Sequence, residues 1–356
     1  LKVILPLLYE QSNIMPVLEA VVVAFKNDGI HILVSDILKF SKNTEPIHRQ
    51  QGAAEMIYIL AAKSSTDYSP FIPQLLSELI DNLNHEDTEV IKISLKALDT
   101  LVKGIPKDNL PNYVPDLYRQ LRGFMPQDIE SNIEEITYIP GFKLPKGLTP
   151  LLTMTLQGLR FGNPNVRETS ATSLGFLIQL TDPSCLKPYV ALIAGPLIRV
   201  MGDRFSESVK EAILKTMGIL LDNAGQFCKP FVMQLQTTFI RSLNDSSEKV
   251  RIYAAQDLGK LMTMSQRIDQ LVTDLLNSFD TVENERKETI LVALSNVLSS
   301  THGRVTEPTL ILCETKCSEL IINSSADQRL IGPLSDVLAN SFVSLPSDKF
   351  ITFFKK

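Results

Sequence analysis

Apolar residues along this chain recur at three- and four-residue spacing, broken every fifteen to twenty positions by a short polar turn. The segment YSPFIPQLLSELIDNLNHEDTEV shows the plan. Leu75, Leu76, Leu79, Ile80 and Leu83 fall on one helical face. Pro70 and Pro73 suit a helix's first turn, where a missing N–H costs nothing. Asn84 to Asp87 form the polar break, and a second amphipathic helix follows. The same plan governs KPYVALIAGPLIRVMGDRFSESV up to Val209 and KPFVMQLQTTFIRSLNDSSEKV up to Val250.

Each second helix opens with a recognisable word. An anchor residue, usually followed at once by a basic one, precedes an apolar position eight residues on. Val166-Arg167 leads to Leu174, Val209-Lys210 to Met217, and Val250-Arg251 to Leu258. His48-Arg49, Val90 and Arg286-Lys287 start the same word. Anchors at 48, 90, 166, 209, 250 and 286 lie 42, 76, 43, 41 and 36 apart, and 76 reads as two periods with the frame intact. A period near 40 with two helices per unit marks a HEAT or armadillo array. The fold predicted is therefore an all-α solenoid of about seven hairpins with few or no strands. One hairpin cannot bury its apolar faces alone, so neighbours must close them. Ala53, Ala171 and Ala255, with Gly175, Gly218 and Gly259, supply small contacts for that stacking.

Two stretches depart from the rhythm. FMPQDIESNIEEITYIPGFKLPKG, residues 124–147, holds three prolines, two glycines and the acidic residues Asp128, Glu130, Glu134 and Glu135. It is too long for a plain connection in such an array, and its isoleucines, Tyr138 and Phe142 call for burial. An ordered loop packed on one face, with a short helix at most, is expected. The domain division read from it is 1–123 (N-terminal repeats), 124–147 (acidic insertion) and 148–356 (C-terminal repeats). Near the end, Pro333 falls where an unbroken second helix would run.

Composition narrows the function. Of 356 residues, 44% are hydrophobic, enough for a large core. A net charge of −5 and the lack of tryptophan argue against a nucleic-acid binder. No apolar run reaches the ~18 residues of a membrane span, and no signal peptide is visible. The lack of an initiator Met reads as a fragment of a longer protein. Four scattered cysteines, Cys185, Cys228, Cys313 and Cys317, make no disulfide framework and suit a reducing, cytoplasmic setting. They outweigh two glycosylation-like triplets at Asn244 and Asn323.

Chemistry-bearing constellations are missing from the pattern. The four histidines fall in separate units, and there is no phosphate-cradling glycine loop or nucleophile elbow. Cys313 and Cys317 share a helix face but lack further zinc ligands, so they read as core. No cofactor, metal or catalytic residue is assigned, and the chain is not read as an enzyme.

The cations deserve two readings each. Arg49, Arg167, Lys210, Arg251 and Lys287 sit in the first turn of second helices, where the helix dipole disfavours them. Bonds to Asp203, Asp245 or turn carbonyls would compensate; a partner's carboxylate is the other use. Arg199 ends a first helix, where a cation suits the dipole, and Arg204 lies in the turn. Ser208 with Glu211 fits a capping box, with Ser206 as rival cap; Asn163 or Asn165 caps the helix carrying Arg167.

PGFKLPKGLTPLL (140–152), GPLIRVMGDRFS (195–206), KPFVMQLQTTFIRSL (229–243) and VRIYAAQDLGKLM (250–262) together resemble the general-control translational activator family, most strongly over about 140–300. These are very large cytosolic HEAT-repeat proteins that associate with ribosomes. The resemblance implies a C-terminal HEAT region that binds RWD domains, chiefly that of the kinase of initiation factor two, and relays starvation or stalled-ribosome signals. Other RWD proteins would compete, the ribosome would be met through the rest of the protein, and neither membrane nor nucleic acid is expected to touch this segment. One arginine is critical in the family; Arg167, Arg199, Arg204 and Arg251 are its candidates, with Lys210 beside them. The rivals are a transport-type or phosphatase-scaffold-type HEAT adaptor.

Overall fold

The computed structural model describes residues 15–25, 27–42, 44–126, 136–202, 205–323 and 328–344. Among these there is no strand; sixteen α-helices joined by short turns and 3-10 segments make up the fold. They group into two compact units divided after Leu186.

The first unit holds α1 (Met15–Ala24), α2 (Ile30–Phe40), α3 (Ile47–Lys63), α4 (Ile72–Asn82), α5 (Thr88–Gly104), α6 (Val114–Phe124), α7 (Thr149–Phe161) and α8 (Pro164–Gln179). The second holds α9 (Val190–Met201), α10 (Glu207–Ala224), α11 (Val232–Ser242), α12 (Glu248–Met262), α13 (Ile268–Phe279), α14 (Asn284–Ser300), α15 (Glu307–Asn323) and α16 (Gln328–Val343). Every anchor word opens a helix: α3, α5, α8, α10, α12 and α14. Side-chain caps account for three of them. Asp87 accepts from Glu89 and Val90 N–H, Asn163 from Val166 N–H, and Ser247 from Val250 N–H. Asn163, not Asn165, thus caps α8. Ser206 holds the cap position of α10, but its hydroxyl makes no capping bond there.

In the second unit the alternation is regular. Each first helix packs on its own second helix, and second helices α10, α12, α14 and α16 pack in a row. Close approach in this row requires glycine at Gly259, where a Cβ would come within 2.7 Å of the Asn296 carbonyl. At Gly218 the neighbour is the Asp257 carboxylate. Pro333 does not interrupt α16, which runs from Gln328 to Val343. It sits near the start of the helix, where the proline forfeits one N–H bond and the packed face holds the rest.

The first unit starts in the same way, with α3 on α5 and α4 on α6. The 76-residue interval between anchors then contains two helices among the described residues, where two full periods would need three. The frame therefore slips. Helix α7, a first helix by its sequence, packs on α5 in the row of second helices, and α8 packs on α6 in the row of first helices. Where the missing helix would run, residues 136–148 cross as a loop with one 3-10 turn at Pro140–Lys143. Over residues 136–147 this is the ordered loop expected of the insertion; residues 127–135 lie outside the described residues. Ile139 and Phe142 are each 1% exposed. Ile139 N–H donates to the Leu180 carbonyl and Gly141 N–H to that of Leu83, both at 2.9 Å. The acidic residues Asp128, Glu130, Glu134 and Glu135 lie outside the described residues.

Candidate functional site

The sequence places its cations at the turns, and the second unit brings several together. The last turn of α9 carries Arg199, which is exposed and makes no hydrogen bond or ion pair among the described residues. Helix α9 ends at Gly202, whose N–H returns to the Arg199 carbonyl. One hairpin later, α11 ends in the same way with Arg241. The two sites share the word Ile-Arg-x-x-x-Asp, residues 198–203 and 240–245. Arg241 is exposed, and one guanidinium nitrogen reaches across hairpins to donate to the Gly202 carbonyl at 2.8 Å. That leaves most of its donors outward.

Behind these arginines the two turns are laced together. Lys210 Nζ meets Asp245 Oδ2 at 2.6 Å, with side chains 20% and 13% exposed. Ser247 Oγ donates to Glu207 Oε1 at 2.6 Å while capping α12. Burial raises the Asp245 carboxyl, but the Lys210 ammonium and the Ser247 backbone N–H overcome it and hold the group below the ordinary aspartate range. Met201, Gly202, Phe205, Lys210, Arg241, Ser242 and Asp245 line an open pocket of about 340 Å³.

Arg251 stays within this framework. Its Nη1 donates to the carbonyls of Asp245 and Ser246 at 3.0 and 3.1 Å, and its Nε to Thr289 Oγ1 at 3.2 Å. In the first unit Arg167 makes the corresponding bonds, from Nε to the Gly162 carbonyl and Nη1 to that of Leu159, both at 2.7 Å. Both close their own turns. Arg49 pairs with Glu45 at 2.7 Å, and Lys287 lies over the Phe279 ring. Arg204 and Asp203 lie outside the described residues. Among the described residues, geometry thus singles out Arg199 as the candidate with no bond of its own and adds Arg241, which the sequence reading passed over. The repeated Ile-Arg-x-x-x-Asp word was the signal that could have found it.

The arrangement suits recognition rather than bond-making. Two exposed arginines at equivalent helix ends, one of them lining a polar pocket, can pair with carboxylates in forked, charge-assisted fashion. Cys313 and Cys317 are fully buried, and burial pushes both thiols up to about 12, which removes them as nucleophiles. No group of three or more potential metal ligands is found among the described residues, and none of the described helices is long and apolar enough to cross a membrane.

A family profile described as "Stalled ribosome sensor GCN1-like, HEAT repeats" matches residues 1–146, the stretch where the sequence words are least distinctive. Protein ILITYHIA of Arabidopsis thaliana is 38% identical over 79% of the chain and 10% of its own length. The human stalled ribosome sensor GCN1 is 36% identical over 81% of the chain and 11% of its own length. The Saccharomyces cerevisiae eIF-2-alpha kinase activator GCN1 is 32% identical over 88% and 12%. Yeast importin-beta (Kap95p) superposes at a TM-score of 0.46 and 15% identity over 90% of this chain and 42% of that one. The chain spans about a tenth of the length of the curated relatives it matches. With this identity held over some four fifths of its residues, and with the stacked hairpins that the profile describes, the chain belongs to the GCN1 family.

Proposed function

We propose that the chain is a non-enzymatic scaffold whose second unit binds the RWD domain of the initiation-factor-two kinase. By that contact it promotes kinase activation in amino-acid starvation or ribosome stalling, in the cytoplasm. Relatives bear the names kinase activator and stalled ribosome sensor. The observation that carries the reading here is the pair of exposed arginines at equivalent helix ends, Arg199 and Arg241, the second of which lines the pocket between hairpin turns. Stacked helices hold them on a rigid base, so little side-chain and backbone freedom is lost beyond the arginines themselves. Other RWD-bearing proteins compete for the same ridge, and the ribosome is met elsewhere in a full-length protein.

Titration calorimetry of the isolated RWD domain with the chain tests this. Arg199→Glu is expected to weaken binding by about 2–4 kcal/mol, the range of a central anchor, with the helical circular-dichroism signal and melting point unchanged. Arg241→Glu is expected to do the same with a small loss of stability, because it also gives up the Gly202 carbonyl. Full binding by both variants would overturn the assignment.

A further inference from the structure

The insertion builds a second site, in the first unit. Along α5, Lys92, Leu95, Lys96 and Asp99 form one outward face at helical spacing. Opposite them stands Leu144-Pro145-Lys146, and between the two walls lies a groove of about 380 Å³. Both walls are fixed in place. The loop wall is tied down by Phe142 and by the backbone bonds to Leu83 and Leu180, and Lys143 lies 3.8 Å from Asp182. Lys146 sits in the left-handed region at φ 64°, which turns the chain at the groove's rim.

The groove has an apolar floor and a basic rim. Leu95, Leu144 and Pro145 supply carbon surface. Lys96 lies 3.7 Å from the centroid of Tyr58, which covers that ring face and fixes the ammonium at the edge. Lys92 is paired with Glu89 at 2.6 Å and Asp99 with Lys103 at 2.6 Å. After these pairings Lys96 and Lys146 remain as excess positive charge, in a protein that is acidic overall.

We propose that this groove is a docking site for an extended, acidic peptide segment of a partner protein, with one apolar side chain on the floor and flanking carboxylates at Lys96 and Lys146. The site is independent of the arginine ridge. A nucleic acid fits less well: the wall carries Asp99, no aromatic residue lines the groove for base stacking, and the floor is aliphatic.

Fluorescence anisotropy with the whole chain and a labelled peptide, Glu-Asp-Leu-Asp-Phe-Glu-Glu, provides the test. Binding is expected, and it should fall as salt rises. Replacing the acidic residues of the peptide with lysine should abolish it. The double variant Lys96→Glu/Lys146→Glu should lower affinity at least about tenfold; both positions are exposed, and glutamate is no more strained than lysine at φ 64°. Leu144→Ala should weaken binding without altering the salt dependence, and Arg199→Glu should leave it unchanged. Equal binding of the lysine peptide, equal binding by the double variant, or displacement of the peptide by an equimolar single-stranded RNA would each overturn the proposal.

Discussion

The two units use one sequence plan and end with different surfaces. In the second, hairpins follow one another without a break, and their turns are joined across repeats by charge: Lys210 to Asp245, Ser247 to Glu207, Arg241 to the Gly202 carbonyl. In the first, side-chain amides and hydroxyls donate most of the links, Asn82 to Ser41, Ser77 to Gln120 and Gln51 to the Asp87 carboxylate, with an ion pair between Lys63 and Glu19 beside them. There the alternation is also broken by the insertion. The regular unit gains two exposed arginines at equivalent helix ends, Arg199 and Arg241. The interrupted one gains a groove that no other hairpin can have, because its far wall is not a repeat. Periodicity multiplies a contact; irregularity makes a single one.

That contrast can be broken at its joints. The largest expected effect is at Phe142. If the insertion is part of the first unit's core, Phe142→Ala should cost about 3–5 kcal/mol, as much as Phe239→Ala in the regular unit; both rings are almost wholly buried. Thermal or denaturant unfolding measures this, and a loss under about 1 kcal/mol at Phe142 would mark the loop as an appendage. Next comes Arg251→Ala, which removes bonds to two carbonyls and Thr289 and should cost about 1–3 kcal/mol of stability. Arg199→Ala should leave the melting point where it is. If the two behave alike, turn closure and partner binding are not divided between these arginines.

A smaller effect, of opposite sign, is expected at Asp257. It is 4% exposed, and its Oδ2 has no hydrogen-bond partner among the described residues. Burial pushes its carboxyl well above the ordinary range; Lys260 opposes this, and Asp222 adds to it. A carboxyl whose folded value is raised binds its proton more tightly in the folded state. Its contribution is therefore most favourable in acid and is lost as pH rises from the unfolded value through the folded one. Asp257→Asn should raise stability at neutral pH by about 1–2 kcal/mol and flatten that slope. Melts from pH 4 to 8 check it, and a lower melting point at pH 7 would show that the ionised form is held by something other than Lys260.

Much of this was legible in the sequence because the signals are local. The anchor words fall at helix starts; Asp87, Asn163 and Ser247 cap three of them, and in two, Arg167 and Arg251 turn back to carbonyls of the turn. Ala53, Ala171 and Ala255 are fully buried where small residues were called for. The slip was not legible. A 76-residue interval is the same length whether it holds three helices or two and a long loop; only packing decides which row α7 joins. Pro333 misled because a proline near a helix start and one that ends a helix look alike without the boundary. Among the cations, composition marked all as equal, and only the bonds separate Arg167 and Arg251 from Arg199.

The slipped helix pair changes how any consensus numbering should be applied to this molecule. A scan that assigned α7 and α8 to rows by their sequence words would place each helix in the row that the other occupies.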